Sequence, residues 1–344
     1  MTITIIATIF VFGLLVLFHE FGHFATAKLT GMRVDEFAIG FGPKLASYRR
    51  GETLYSLRAI PLGGFNKIAG MDPDEEKDER SYSSKPILAR MLVILAGSAM
   101  NFVLPVLIFF CIYATAGIGT PSPEPVLGDV MAGKSAANAG LRAGDRIVEI
   151  NGQPIGAWKD FVAVVQVSGG RVLDVRYERA GEQRQTSLIP EYDEQAKRAL
   201  IGVVSAVDTY RPGIGEAAGL AVQNTYMIMY RMLEGLGLMF SGRADAEVSG
   251  PLGVAQMAGE VAQLGLLPLL QFAAFLSVNL GIINLLPVPA LDGGHFVTLL
   301  LEALRGKPMG AKSTQYAQMV GFVLLLALML FATFKDLLKL NVFN

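Results

Sequence analysis

The chain has 344 residues, of which 52% are hydrophobic and only 17% are charged, a balance that is unusual for a soluble protein and indicates a membrane protein. Its 29 basic and 30 acidic residues leave no positive excess for binding nucleic acid. The single cysteine, Cys111, excludes an intrachain disulfide.

The first predicted element is an apolar helix over residues 3–27, long enough to cross a hydrocarbon core of about 30 Å. No Lys or Arg precedes its apolar run, and His and Glu residues stand at its far end. We therefore expect a retained span rather than a secretory signal.

The end of this span carries His19-Glu-Phe-Gly-His23, which fits the pattern H-E-x-x-H. At 3.6 residues per turn, the two imidazoles share one helix face and can grip one zinc ion. Glu20 can then take a proton from a water that the metal activates. The alternative is a pair of histidines that only satisfy each other. A carboxylate inside a membrane span costs about 2.5 to 3.5 kcal/mol and usually marks function, which favours the metal site.

Between the first two spans, residues 36–42, 44–48 and 53–59 are predicted strands, with a turn at Arg50-Gly51. The second span is predicted over residues 87–116. It contains Gly97-Ser-Ala-Met-Asn101, whose small residues serve either close helix packing or a role for Asn101 near a site.

The segment that follows has the strand and turn pattern of a soluble domain. Residues 133–152, from GKSAANAGLRAGD to IVEING, resemble the bacterial PDZ signature, and we place one such domain at 118–208. After it, residues 215–240 mix apolar and charged side chains, which predicts an amphipathic helix at the membrane interface.

A third span in chain order is predicted over residues 266–286, and a last one over 316–334. The third leads into Asn284-Leu-Leu-Pro-Val-Pro-Ala-Leu-Asp-Gly-Gly-His295, where prolines and glycines break the helix at membrane depth. A catalytic zinc needs a third protein ligand, and Asp292 is the notable carboxylate in this region.

Basic residues predict the orientation. Ten Lys and Arg lie within residues 33–90, and Arg305, Lys307 and Lys312 precede the last span, so both loops are expected in the cytoplasm. The long segment 117–265 and both termini then lie on the extracytoplasmic side of a bacterial inner membrane.

HEFGH, a single PDZ domain and N-x-x-P-x-P-x-L-D-G together resemble the site-2 protease family, and within it the regulator of sigma E proteases. Pro61-Leu-Gly-Gly-Phe65 and Ser249-Gly-Pro-Leu-Gly253 add to this resemblance.

The resemblance implies one zinc ion held by His19, His23 and Asp292, with Glu20 activating water. It also implies that Asn284, Pro287 and Pro289 bind an unwound substrate segment, and that Asn101 lies near the active site as a further substrate-binding candidate. The sheet between the first two spans would capture the substrate as an added strand.

The predicted fold is a polytopic α-helical membrane protein with about four transmembrane helices, a membrane-associated β-hairpin or sheet and one inserted α+β PDZ domain. We expect divisions at 1–117, 118–208, 209–265 and 266–344, for the N-terminal membrane part, the PDZ domain, the interfacial helices and the C-terminal membrane part.

The predicted function is cleavage of the transmembrane segments of single-span proteins, such as an anti-sigma factor, after another protease has made a first cut. The PDZ domain then either binds peptide C-termini or acts as a gate, and we favour the gate. Two other functions compete: an inactive membrane-anchored PDZ adaptor, and a metal transporter.

Overall fold

The computed structural model describes residues 1–71, 78–194, 197–243 and 249–339. The chain forms two compact units, one of Met1–Tyr113 with Gly213–Asn344, the other of Ala114–Pro212. Each is described by itself.

The first unit begins with helix α1, Thr2–Leu29. With 28 residues it is about 42 Å long, enough to cross the hydrocarbon core. An apolar helix suits lipid because its backbone hydrogen bonds are made within the segment.

A sheet of two long strands follows α1, with β1 at Val34–Arg50 and β2 at Thr53–Ile68. The strands are antiparallel and meet at the predicted turn, where Gly51 has a φ of +61°. The structure joins the first two predicted strands into β1. It also extends β2 nine residues beyond its predicted end at residue 59.

The pairing register of the sheet places part of β1 in its middle. Phe37 faces Asn66 on one side and Tyr55 on the other, so the first half of β1 lies between the two halves of β2. The second half of β2 pairs with β1 along one edge, and no strand in the described part of the chain pairs with its other edge.

Helix α2, Ile87–Thr115, starts after a short 3-10 turn at Tyr82–Ser84. A buried apolar cluster ties the ends of α1, β1 and β2 to α2 and to a later helix. Its members include Ala27, Val34, Ile68, Val93, Ile94 and Leu299.

The second unit is the inserted domain. In chain order its elements are β3 Ile118–Pro121, β4 Leu127–Val130, α3 Ser135–Asn138, β5 Arg146–Ile150, β6 Gln153–Pro154, α4 Trp158–Gln166, β7 Leu173–Arg179, β8 Glu182–Leu188, β9 Glu191–Asp193, β10 Arg198–Leu200, β11 Val203–Ser205 and β12 Val207–Tyr210. The described strands pair as a four-stranded sheet of order β6-β5-β7-β8 and as three two-stranded pairs, β3 with β12, β4 with β11 and β9 with β10.

The PDZ-like segment of the sequence forms the centre of this domain. Asn151 and Gly152, both with positive φ, make the tight turn between β5 and β6. Asp145 is fully buried and accepts two hydrogen bonds from Arg179, at 2.7 and 2.8 Å, which pins the start of β5 to the end of β7. The core beneath includes Leu127, Ile147, Ile150, Phe161, Leu173 and Val175.

The chain returns to the first unit through five helices. These are α5 Ile214–Phe240, α6 Pro251–Gln263, α7 Leu266–Leu285, α8 Asp292–Arg305 and α9 Ala311–Lys339. Among the described residues, four helices are long and apolar enough to cross a membrane, namely α1, α2, α7 and a stretch of α9 from Lys312 to Lys339. The prediction of four spans is confirmed, and the last is longer than the predicted 316–334.

Two polar contacts fix the helices of this unit. Asp336 on α9 accepts hydrogen bonds from the backbone N–H groups of Gly250 and Gly253 and so caps the start of α6. Arg90 on α2 donates to both carboxylate oxygens of Glu302 on α8, at 2.6 and 3.3 Å. The second contact holds α8 against α2, and α8 begins at Asp292.

Candidate metal centre

Three side chains with metal-binding atoms converge where α1 meets the start of α8. His19 and His23 lie one turn apart on α1, and Asp292 is the first residue of α8. One ligand atom from each lies within 4.8 Å of the others, and all three side chains are half-buried. The structure thus brings together the three residues that the sequence names as ligands.

The distances between these atoms suit a tetrahedral metal. The Nε2 atoms of the two histidines are 3.3 Å apart. His19 Nε2 lies 3.7 Å from Oδ2 of Asp292, and His23 Nε2 lies 3.6 Å from Oδ1 of the same carboxylate. Ligands at about 2.1 Å from a tetrahedral zinc ion are about 3.4 Å from each other. The residues present therefore fit zinc, and two imidazoles with one carboxylate leave a fourth position open.

His23 is held in a form that can bind metal. Its Nδ1 lies 2.8 Å from the backbone carbonyl oxygen of Val93 on α2. Because a carbonyl oxygen only accepts, Nδ1 carries the proton and Nε2 presents its lone pair toward His19 and Asp292.

Asn101, fully buried on α2, contacts the corresponding ring nitrogen of His19. Its amide nitrogen lies 3.0 Å from His19 Nδ1, and its Oδ1 is buried with no hydrogen-bond partner in the part of the chain that the structure describes. With the amide turned over, Oδ1 accepts from the Nδ1–H of His19, which frees Nε2 for a metal. The sequence assigns Asn101 to substrate binding, whereas its buried place in the structure favours orientation of a ligand.

The small residues of α2 let the helix approach the centre. A side-chain carbon at Gly97 would overlap the ring of His23. Ser98, next to it, donates a hydrogen bond of 3.0 Å to Oδ2 of Asp292. Sequence reasoning missed Ser98, although it lies inside the Gly97–Asn101 element.

A six-residue turn, 286–291, delivers Asp292 to the centre. Asn284 lies in the last turn of α7, while Pro287 and Pro289 lie in the turn itself. The turn folds back on α8, and the backbone carbonyls of Leu286 and Val288 occupy the space where side chains at residues 293 and 294 would stand. Because these carbonyls leave no room for a side chain, the two residues after Asp292 are glycines.

Glu20 has one side-chain partner that sequence reasoning missed. Asn66 on β2 donates two hydrogen bonds of 2.8 Å, to the backbone oxygen and to Oε2 of Glu20. Asn66 follows Phe65 at the end of the Pro-Leu-Gly-Gly-Phe motif, and that position was its only signal in the sequence.

A metal with an open position next to a carboxylate is the arrangement of a hydrolytic site. Such a metal polarises a carbonyl and makes water acidic, and a neighbouring carboxylate can move the proton. The carboxylate of Glu20 and two of the three candidate ligands lie on α1, which is a candidate membrane span.

The comparisons with known proteins agree with this chemistry. The model of peptidase family M50 matches residues 7–328. The chain is 35% identical over 333 residues to a Clostridium acetobutylicum protein, covering 96% of both chains. It is 32% identical to the regulator of sigma-W protease RasP of Bacillus subtilis, over 98% of this chain and 99% of the relative. It is also 32% identical to the zinc metalloprotease RasP of Geobacillus kaustophilus, over 98% of each chain.

Among solved structures, part of the chain matches the PDZ domain of the SdrC-like protein of Listeria innocua. The identity is 22%, the match covers 26% of this chain and all of the other, and the TM-score is 0.23.

The family match covers most of the chain, the relatives align over nearly its full length, and the described helices include four candidate spans. The chain therefore belongs to peptidase family M50, the site-2 proteases, and is a membrane-embedded zinc metalloendopeptidase.

Proposed function

We propose that His19, His23 and Asp292 hold one zinc ion and that Glu20 is the catalytic base for peptide-bond hydrolysis. The observation that carries this proposal is the convergence of three ligand atoms from two helices, within 4.8 Å of one another. Glu20 is the residue between His19 and His23 in the sequence that can shuttle a proton. When bound, the zinc supplies Lewis acidity to the attacking water and to the scissile carbonyl. Glu20 takes the proton of the water and passes it to the leaving amine.

The substrate is a transmembrane segment of a single-span protein, which must be extended before it is cut. A helix hides its carbonyl groups in its own hydrogen bonds, so a helical peptide offers no bond to the site. The second half of β2 offers an unpaired edge in the described structure and contacts Glu20 through Asn66. Strand addition at this edge supplies backbone hydrogen bonds to an extended peptide.

The turn before Asp292 is the second part of the substrate site. Neither Pro287 nor Pro289 has a backbone N–H, so the chain cannot continue α7 through them. We assign Asn284, Pro287 and Pro289 to binding of the unwound segment. Support comes from their place directly before a candidate ligand.

The physiological substrate we propose is an anti-sigma factor that another protease has already shortened. The Bacillus subtilis relative is named a regulator of sigma-W protease, which supports this substrate class. In this scheme the inserted PDZ domain, placed at 118–208, lies outside the cytoplasm and excludes substrates with an untrimmed outer domain. Residues 209–265 lie at the membrane interface.

One experiment tests the catalytic proposal. Purified enzyme is reconstituted with a membrane-spanning test substrate, and wild type, Glu20→Gln and chelator-treated enzyme are compared. Glu182→Gln, on the exposed surface of the inserted domain, is the matched control because it makes the same chemical change away from the centre.

We expect Glu20→Gln and the chelator to abolish cleavage, readdition of zinc to restore only the chelated wild type, and Glu182→Gln to cleave normally. Undiminished cleavage by Glu20→Gln would show that the mechanism is wrong. Cleavage that no chelator reduces would show that the mechanism does not use a metal.

A further inference from the structure

Asn66 makes a contact with the proposed base that the catalytic scheme above does not use. Its Nδ2 group donates one hydrogen to the backbone oxygen of Glu20 and the other to Oε2 of the Glu20 carboxylate, both at 2.8 Å. These two bonds join the C-terminal end of β2 to the HExxH turn of α1.

The orientation of the Asn66 amide follows from its partners. A backbone carbonyl and a carboxylate are both acceptors, so the side that faces Glu20 must be the –NH₂ group. Oδ1 then points away from Glu20, and it is buried without a hydrogen-bond partner among the described residues. An apolar side chain of similar size would fill the same space and leave no buried acceptor unpaired.

The strand approaches Glu20 closely on the face that carries Asn66. Residues 64 and 66 share one face because side chains alternate along a strand. A side-chain carbon at Gly64 would stand 2.9 Å from Cγ of Glu20 and 2.9 Å from a methyl carbon of Val16. Glu20 is therefore held between α1 and β2, and Asn66 supplies the hydrogen bond to its carboxylate.

We propose that Asn66 is a positioning residue for Glu20. By holding Oε2 it leaves Oε1 as the oxygen that takes the proton from water. It also couples the base to the strand whose free edge accepts the substrate. The position of the Glu20 carboxylate is then fixed relative to an extended peptide bound on β2. This inference rests on the proposed role of Glu20.

The test compares Asn66→Leu, which keeps the volume and removes the donor, with Asn66→Gln, which keeps a donor amide. Thr53→Val is the matched control. It removes a buried hydrogen bond of 2.7 Å from Thr53 to the backbone oxygen of Val34, within the same pair of strands and away from Glu20. For each variant, kcat and KM are measured on the reconstituted membrane-spanning substrate. Zinc affinity is measured separately by chelator competition on the full-length protein.

We expect Asn66→Leu to lower kcat by about 10- to 100-fold, because misplacing a catalytic group by about 1 Å costs a factor of this order. KM should stay within about threefold, since binding of the substrate does not use the carboxylate. Zinc affinity should stay within about twofold of wild type, because no ligand is touched. Asn66→Gln should recover at least part of kcat.

Three results would overturn the inference: an unchanged kcat in Asn66→Leu, an equal loss of kcat in Thr53→Val, or a loss of zinc affinity that accounts for the lost rate. The Glu20→Gln enzyme separates this failure from failure of the proposed function. If Glu20→Gln is inactive while Asn66→Leu is fully active, only the inference is wrong. If Glu20→Gln cleaves normally, the proposed function is wrong as well.

Discussion

At the scale of single residues, the absence of a side chain is as important as the ligands themselves. Gly97 lies directly against the ring of His23, and a β-carbon there would overlap it. The sequence left two interpretations of the Gly97–Asn101 element, close helix packing or proximity to the site. In the structure α2 packs closely enough for Gly97, Ser98 and Asn101 to contact the candidate ligands.

Gly97→Ala is expected to displace the His23 ring and weaken zinc binding by at least about 10-fold, the lower end of the effect of disturbing a ligand's supporting contacts. Chelator competition on the purified protein measures the affinity. Gly13→Ala on α1 is the control, because no atom of the described chain beyond its own neighbours lies within 4 Å of the added carbon. Wild-type zinc affinity in Gly97→Ala would show that His23 does not need this space.

At the scale of elements, charged residues fix the ends of helices and strands. Glu52, in the turn between β1 and β2, accepts hydrogen bonds from Arg80 and from Lys28 at the end of α1. These partners, with Arg80 the stronger, lower the pKa of Glu52 from 4.5 to about 2. The contact ties the turn of the sheet to the helix that carries the HExxH motif.

Glu52 should make the stability of the protein depend on pH. Because its pKa is lower in the folded state, its contribution is fully present above about pH 4.5 and is lost as pH falls toward about 2. We expect Glu52→Gln to flatten the fall in thermal midpoint between about pH 4.5 and 2. Glu182→Gln serves as the comparison, and identical profiles for wild type and Glu52→Gln would contradict the coupling.

Asp336 joins α9 to α6, as Glu52 joins the turn of the sheet to α1. Asp336→Ala leaves two backbone N–H groups at the start of α6 without their acceptor, so we expect the free energy of unfolding to fall by about 1–3 kcal/mol. Asp336→Asn keeps one acceptor oxygen, so its free energy of unfolding should lie between those of wild type and Asp336→Ala. Thermal unfolding in detergent measures the change, with Lys339→Ala on the same helix as control. An effect of Asp336→Ala no larger than that of Lys339→Ala would rule out the cap.

At the scale of the whole molecule, the even number of candidate spans among the described helices predicts that both termini are on one side of the membrane. The basic residues of segment 33–90 and of the loop between α8 and α9 predict that those segments are cytoplasmic. The same charge pattern predicts that the inserted domain is on the opposite side.

Labelling of single cysteines tests this orientation. In a Cys111→Ser background, Gln185→Cys on the exposed strand β8 should react with a membrane-impermeant thiol reagent in intact spheroplasts. Lys307→Cys, between α8 and α9, should react only after lysis. The reverse pattern would invert the topology, and reaction of both sites in intact spheroplasts would contradict the four-span arrangement.

Much of this protein follows from local rules in the sequence. Four spans were predictable because each depends on a long, predominantly apolar stretch of neighbouring residues. The shared face of His19 and His23 was predictable because it depends only on the period of one helix. The turn at Asn151 and Gly152 needs residues that tolerate positive φ, so it too could be recognised.

Only the tertiary structure decided the contacts between segments that are distant in the sequence. The meeting of Asp292 with the two histidines depends on how α8 packs against α1 and α2, and the contact of Asn66 with Glu20 depends on the last nine residues of β2, which local strand signals did not predict. The sequence by itself determined the spans and the spacing of the motif, because those are properties of neighbouring residues. Only the packing of distant segments decided which side chains support the ligands and the base.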